Sequence, residues 1–149
     1  MPTYSFLDVN AAIVGPGAAF NLGAGAGASD EGITVEPSVD LDNMTIGADG
    51  QGMHSLIADK SGHVIARYLK TSPINNLLST ALAFQRSSGA LHGQNTITIA
   101  NNVSGDTITC QQVAFAKVPK IDYAKDGNYN EWHFNAVIID VLLGAGNLT

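Results

Sequence analysis

The distribution of hydrophobic and polar residues follows a period of two over most of the chain. In "SFLDVNAAIV" the apolar residues Leu7, Val9, Ala11 and Ile13 fall on one side, which is the pattern of a strand with one buried face. The alternation returns in "ITVEPSVDLDNMTIGA", where Pro37 marks a break or a sheet edge, and in "NTITIAN", "DTITCQQVAFAKV" and "EWHFNAVIIDVLL". The turn-forming "DKSG" between two such segments predicts a β-hairpin over residues 52–70. The pattern predicts about seven strands.

One segment has the period of a helix instead. In "TSPINNLLSTALAFQRSSG" the apolar residues recur three and four positions apart, which is typical of an amphipathic helix. Ser72 is suited to the N-cap and Pro73 to the first helical position, so a helix is predicted at about residues 73–86. A single helix among strands predicts a mainly β fold with two packed antiparallel sheets, as a sandwich or barrel, and one flanking helix. One domain over residues 1–149 is expected.

Composition suggests that part of the surface is covered by another molecule. The chain has 149 residues, of which 45% are hydrophobic and 13% charged, against about 25% charged in an average domain. Eight acids and no lysine or arginine precede Lys60, whereas the remainder has seven bases and five acids. This asymmetry argues against general nucleic-acid binding. It allows an acidic face of one copy to meet a more basic face of another, unless both parts mix on one surface.

A glycine-rich segment, "GPGAAFNLGAGAGASDE" at residues 15–31, raises the question of a phosphate-binding loop. It has no lysine, and no helix pattern follows it to hold an anion at a helix N-terminus. It also ends in Asp30 and Glu31, which would repel a phosphate. A long loop over about residues 15–31 is therefore predicted, rather than a nucleotide site.

No residues match a catalytic or metal-binding motif. The four histidines, His54 among them, lack the spacing of metal ligands, and the hairpin at residues 52–70 would place His54 opposite Arg67. Ser55 beside His54 has no identifiable orienting acid. Cys110 is predicted to be a reduced, buried thiol. We therefore expect no enzymatic activity, no cofactor and no metal.

Two neighbouring acidic residues allow more than one functional interpretation. In "SVDLDNMTI", Asp40 and Asp42 alternate with apolar residues, so both carboxylates would share one strand face about 7 Å apart. Such a pair can act as acid and base, although a solvated acidic face is commoner. An acidic strip of this kind would also suit the wall of a channel that repels anions.

The chain resembles the small proteins that form the inner tail tube of contractile-tailed bacteriophages. The resemblance covers nearly the whole chain and is most specific in "KTSP", which opens the helix, in "ADGQGMHSLIADKSG" and in the late "EWHF" strand. The chain is also similar in plan to the tube subunit of type VI secretion systems. The resemblance implies two packed sheets with a flanking helix, and six subunits per ring, stacked head to tail into a hollow tube.

The resemblance also implies partners and roles for particular residues. The expected partners are other copies of the chain, the tail sheath, the baseplate and the tail terminator, with DNA passing through the lumen without specific binding. Asp40 and Asp42 become candidates for the lumen wall. The expected location is the virion, after synthesis in the host cytoplasm and without membrane insertion, since no signal peptide or spanning segment is recognisable. The glycine-rich loop becomes a candidate contact between rings, through these residues: Gly15, Phe20, Leu22, Asp30 and Glu31.

Other functions remain open from the sequence. A related baseplate, terminator or secretion-tube component has the same structural character. A soluble β-sandwich that binds sugars or peptides would show a cluster of aromatic residues, whereas the aromatic residues here are scattered along the chain. An enzyme would need an acid/base constellation that the sequence does not display.

Overall fold

The structure, a computed structural model, describes residues 3–23, 28–121, 123, 125 and 129–146. For residues 28–31 it describes the backbone only. A short 3-10 helix at Phe6–Asp8 comes first. One α-helix, α1, spans Ile74–Gln85. The nine strands are β1 Val9–Gly15, β2 Ala18–Asn21, β3 Ala28–Pro37, β4 Asp42–Ile46, β5 Gly52–Leu56, β6 Gly62–Leu69, β7 Asn95–Asn101, β8 Asp106–Lys117 and β9 Tyr129–Leu142.

The strands form two antiparallel sheets. The larger has seven strands in the order β2-β1-β7-β8-β9-β6-β3, and the smaller is the β4–β5 hairpin. Along strands such as β6 and β7, buried residues alternate with more exposed ones. The period of two in the sequence therefore corresponds to one buried face of the sheet. The predicted fold class, mainly β with two antiparallel sheets and one flanking helix, is confirmed.

The larger sheet folds over on itself, so that its two ends meet across the core. The Tyr68 hydroxyl on β6 donates a hydrogen bond of 2.8 Å to the backbone carbonyl of Leu22, which follows β2. These strands are far apart in the sheet order, with β1, β7, β8 and β9 between them. Gln112 in β8 has a positive φ of 53°, and the register shifts beside it, as expected for a bulge that bends a strand. The fold therefore encloses its core within a single bent sheet.

Aromatic and aliphatic side chains fill this core. The ring of Phe115 lies 4.9 Å from that of Phe134 and 6.0 Å from that of Trp132, measured between centroids. The side chains of Ile74, Leu78 and Ala81 cover the core from the helix and are almost fully buried. The larger sheet and α1 thus bury their apolar faces against each other.

The helix begins one residue later than predicted. Its N-cap is Pro73, although the Ser72 hydroxyl still accepts a hydrogen bond of 3.3 Å from the backbone N–H of Ile74. At its other end Gln85 is buried and exchanges two side-chain hydrogen bonds of 2.7 Å with Asn95. Asn95 also donates to the Val113 carbonyl at 3.0 Å, so this polar pair holds the helix end against β7 and β8.

The hairpin predicted over residues 52–70 is wrong. β5 pairs with β4, whereas β6 pairs with β9 and β3. The tight turn lies instead at residues 47–51, where Gly50 adopts a φ of 85° and Gly47 donates a 2.7 Å backbone hydrogen bond to Gln51. In "DKSG" the Asp59 carboxylate accepts the Ser61 N–H at 2.8 Å, a local turn that leads β6 into the larger sheet. Hydrogen bonds from the Ser61 side chain and backbone lower the pKa of Asp59.

The long loop predicted over residues 15–31 is also corrected, because strands occupy much of that stretch. Gly17, with a φ of 70°, makes the tight turn between β1 and β2 that a residue with a side chain would adopt only with strain. β3 then starts at Ala28. Residues 24–27 of this stretch lie outside the described part of the chain.

Candidate functional site

The β4–β5 hairpin carries a group of large apolar side chains that contact no core. Each of them is more than half exposed. We call this group the hairpin patch, and its residues are Leu41, Met44, Ile46, Met53 and Leu56. No residue of β4 or β5 is buried, in contrast to every long strand of the larger sheet whose burial is described.

The register of the hairpin places most of the patch on one side. Met44 lies opposite His54, Asp42 opposite Leu56 and Ile46 opposite Gly52, and paired residues share a face. Met53 lies on the other face, opposite Thr45. An isolated two-stranded hairpin is marginally stable in water, and burying a Leu, Ile or Met side chain is worth about 1.5–3 kcal/mol. A cluster of uncovered apolar side chains on such a hairpin is typical of a protein–protein contact.

The hairpin is acidic and has one ion pair of its own. The Asp42 Oδ2 atom lies 2.8 Å from the Nδ1 atom of His54, and both side chains are exposed. A pair in this environment contributes about 0–1 kcal/mol. Asp40 lies in the bend before β4, so the prediction that Asp40 and Asp42 share a face of one strand is wrong. The predicted opposition of His54 and Arg67 is wrong too, because His54 faces Met44.

The residues proposed for the glycine-rich contact are separated by the fold. Gly15 ends β1 beside Asn95, whose side chain would collide with any Cβ at that position. Phe20 on β2 is partly buried against the core. Leu22 has only 1% of its surface exposed, so it lies in the core of its own chain and cannot serve as an anchor on another. The side chains of Asp30 and Glu31 lie outside the described residues.

The polar clusters of the larger sheet are ion pairs and hydrogen bonds. On its outer face Glu131 accepts a 3.1 Å hydrogen bond from Arg67 Nε and lies 2.7 Å from His133 Nε2. His63 Nδ1 lies 2.9 Å from Asn135 Oδ1 on the neighbouring strand. Within the described ranges no three His, Cys, Asp or Glu side chains come together as metal ligands would.

Cys110 is a free, fully buried thiol, as predicted from its position in an alternating strand. Burial raises the pKa of the thiol to about 11. The thiolate needed for nucleophilic attack is therefore scarce at neutral pH.

No helix in the described part of the chain is long and apolar enough to cross a membrane.

The hairpin patch is what sequence reasoning missed. Met44 and Ile46 alternate with polar residues in the same way as Val64 and Ala66 of the buried strand β6. Alternation reports that one face is apolar and says nothing about what covers it. The available signal was the turn "GADGQ", whose glycines favour a hairpin between β4 and β5 and thereby separate β5 from β6.

The fold is similar to that of chains in solved contractile injection systems. A chain of the sheath–tube complex of the extracellular contractile injection system PVC has a TM-score of 0.61 at 12% identity, covering 95% of this chain and 92% of that one. A chain of the anti-feeding prophage baseplate has a TM-score of 0.58 at 15% identity, covering 97% of each chain. A chain of the tube-terminating cap of that prophage has a TM-score of 0.54 at 6% identity, covering 97% and 93%.

Sequence comparison supplies the family. The chain belongs to the bacteriophage PhiTE tail tube protein family, whose model matches residues 1–144. A search of curated proteins returned no match. The resemblance to inner tail tube proteins is thus confirmed, and the chain is a structural subunit of the tail tube class.

Proposed function

We propose that copies of this chain form hexameric rings that stack into the hollow inner tube of a contractile phage tail, through which DNA is ejected. The exposed apolar hairpin patch carries this proposal, because a folded subunit with these side chains in water gains stability when another copy covers them. Family membership supplies the class, and the hairpin supplies the contact surface.

The contact between copies is heterologous in this proposal, so that the hairpin of one subunit meets a different surface of the next. Such a contact leaves one hairpin and one acceptor surface free at the two ends of each assembly, and a filament can grow from both. Within the described chain, β2 and β3 at the margins of the larger sheet each pair on one side only. Open strand edges of this kind can add a strand from a neighbouring copy.

The remaining partners follow from the class. We propose contacts with the tail sheath, the baseplate and the tail terminator, in keeping with similarity to chains from a sheath–tube complex and from a baseplate. Asp40 and Asp42 remain proposed residues of the lumen wall, where carboxylates would repel the phosphates of passing DNA. The subunit acts in the virion without catalysis, after synthesis in the host cytoplasm. The segment from Gly15 to Glu31 remains a proposed inter-ring contact, with Leu22 excluded.

Negative-stain electron microscopy of the purified protein over a range of concentrations tests this function. Rings or tubes of uniform bore are expected for the wild-type chain. Met44→Asp with Leu56→Asp should abolish them while circular dichroism remains unchanged, because neither side chain supports the core. Leu7→Asp is the matched control, since this residue is 80% exposed outside the hairpin. A wild-type protein that stays monomeric at every concentration and salt would refute the function.

A further inference from the structure

A surface pocket of about 230 Å³ lies between the end of α1 and the end of β8. Leu82, Phe115 and Val118 contribute apolar walls. Arg86, which follows the helix, and Lys117, the last residue of β8, line it with exposed cationic side chains. His92 lies in the same lining. The pocket therefore combines an apolar floor with two permanent positive charges at its margin.

Arg86 and Lys117 differ from the other cationic side chains whose contacts are described, because each of those has a partner. Lys60 lies 3.5 Å from the Asp140 carboxylate, Arg67 bonds Glu131 at 3.1 Å, and Lys70 lies 4.9 Å from the centre of the Tyr123 ring. Neither Arg86 nor Lys117 has an acidic partner among the described residues. A pair of uncompensated cations beside an apolar pocket favours an acidic partner with an apolar flank.

The tip of the β4–β5 hairpin has this chemistry. Asp49 lies in the turn at residues 47–51, where its Oδ1 atom accepts the Gln51 N–H at 3.1 Å and its side chain remains exposed. Ile46 and Met53, the apolar residues nearest the turn, are both more than half exposed. No lysine or arginine occurs before Lys60, so no nearby cation in the sequence neutralises the tip.

We infer that the hairpin tip of a second copy occupies this pocket, with Asp49 between Arg86 and Lys117 and with Ile46 and Met53 against its apolar walls. The inference rests on the proposed function and identifies the surface that accepts the hairpin. Tip and pocket are different surfaces of each copy, so each docking event leaves a free tip and a free pocket. This is the requirement for head-to-tail growth.

Charge reversal tests the pairing. Asp49→Lys alone, and Arg86→Glu with Lys117→Glu, should each raise the critical concentration for assembly at least about tenfold, because like charges then face each other. Mixing the two variants should restore assembly, because the lysine tip of the first fits the acidic pocket of the second, and the aspartate tip of the second fits the unchanged pocket of the first. A single chain with all three changes should polymerise at near the wild-type concentration. Sedimentation velocity over a concentration series measures each effect.

Asp140→Lys is the control, because it makes the same charge change at an exposed position on β9, a strand that pairs on both sides and has no open edge. It should leave the critical concentration within about threefold of the wild type. Wild-type assembly that Asp49→Lys does not weaken, or that the triple variant does not recover, would overturn this pairing and leave the proposed function intact. A wild-type chain that never assembles would refute the proposed function and the pairing with it.

Discussion

The larger sheet and the β4–β5 hairpin are made from the same kind of sequence but differ in what covers them. In β6 the alternating residues Val64, Ala66 and Tyr68 are almost fully buried, whereas in β4 the equally alternating Met44 and Ile46 are more than half exposed. The larger sheet bends until it covers its own apolar face, and the hairpin has too few strands to do so. Alternation therefore predicts an apolar face, while the number of strands decides whether the chain can bury that face alone.

The largest expected effect is on the free energy of unfolding, which a substitution in the larger sheet should lower much more than one in the hairpin. Phe134→Ala should lower the free energy of unfolding of the monomer by about 3–5 kcal/mol, because it leaves a cavity at a fully buried position. Ile46→Ala in the hairpin should change it by less than about 0.5 kcal/mol. Urea denaturation of dilute protein measures both, and a similar loss for the two variants would contradict the distinction between core and contact surface.

The next effect concerns the polar pair inside the larger sheet. Asn95→Ala should cost about 1–3 kcal/mol of monomer stability, because the buried Gln85 Oε1 then loses its donor, while Gln85 Nε2 keeps its bond to the Pro16 carbonyl. Thr45→Ala, on the exposed hairpin, is the comparison and should be almost neutral. The same denaturation series measures the effect, and equal stabilities of the Asn95 variant and the wild type would show that the pair does not hold the helix end.

A pH dependence of stability is expected from the buried thiol of the larger sheet. Burial raises the pKa of Cys110 to about 11, above the value of an exposed thiol, so the unfolded chain loses its proton first as the pH rises. Stability from this group is therefore complete below pH of about 9 and falls between about 9 and 11, by about 1.4 kcal/mol per pH unit at most. Burial also raises the pKa of Tyr68, which acts in the same direction at higher pH.

Unfolding free energies at pH 8 and pH 10.5 measure this dependence. The wild type should lose more stability over the interval than Cys110→Ala, which removes the titrating thiol. An identical loss in the two proteins would show that the thiol does not contribute.

The smallest effect belongs to the ion pair on the hairpin. His54→Ala should lower monomer stability by no more than about 1 kcal/mol, because both members of its pair with Asp42 are exposed. Asp42→Asn should have an effect of the same size. A loss above 2 kcal/mol for either would mean that the hairpin packs on the body of the subunit, against the exposure of its side chains.

Local patterns predicted the fold class well and the pairing of strands poorly. The helix was recognisable because Leu78 and Ala81 recur at helical spacing and Ser72 provides a cap, all within one short segment. β6 pairs with β9 across 60 to 74 residues of sequence, and no local pattern encodes such a ladder. A hairpin turn at "DKSG" therefore predicts the wrong partner for β5, which pairs with β4.

The sequence indicates that the subunit has a contact surface for other copies, but it does not indicate which residues form that surface. Low charge content and the acidic first part favour self-association, and the structure places one group of exposed apolar side chains on the hairpin. Leu22 is a candidate anchor by sequence because it is an apolar residue among glycines, yet its backbone bonds both Ala11 and Tyr68 and its side chain lies in the core. Whether an isolated apolar residue faces inward depends on the three-dimensional path of the chain, which the local composition does not contain.

Hydrogen exchange of the free and the assembled protein measures whether another copy covers the hairpin. In dilute protein the amides of β4 and β5 should exchange much faster than those of β6 to β9, because the hairpin has no core behind it. In assemblies the hairpin amides should become protected while those of β6 to β9 change little. Assemblies in which the hairpin exchanges as fast as in the free subunit would contradict the claim.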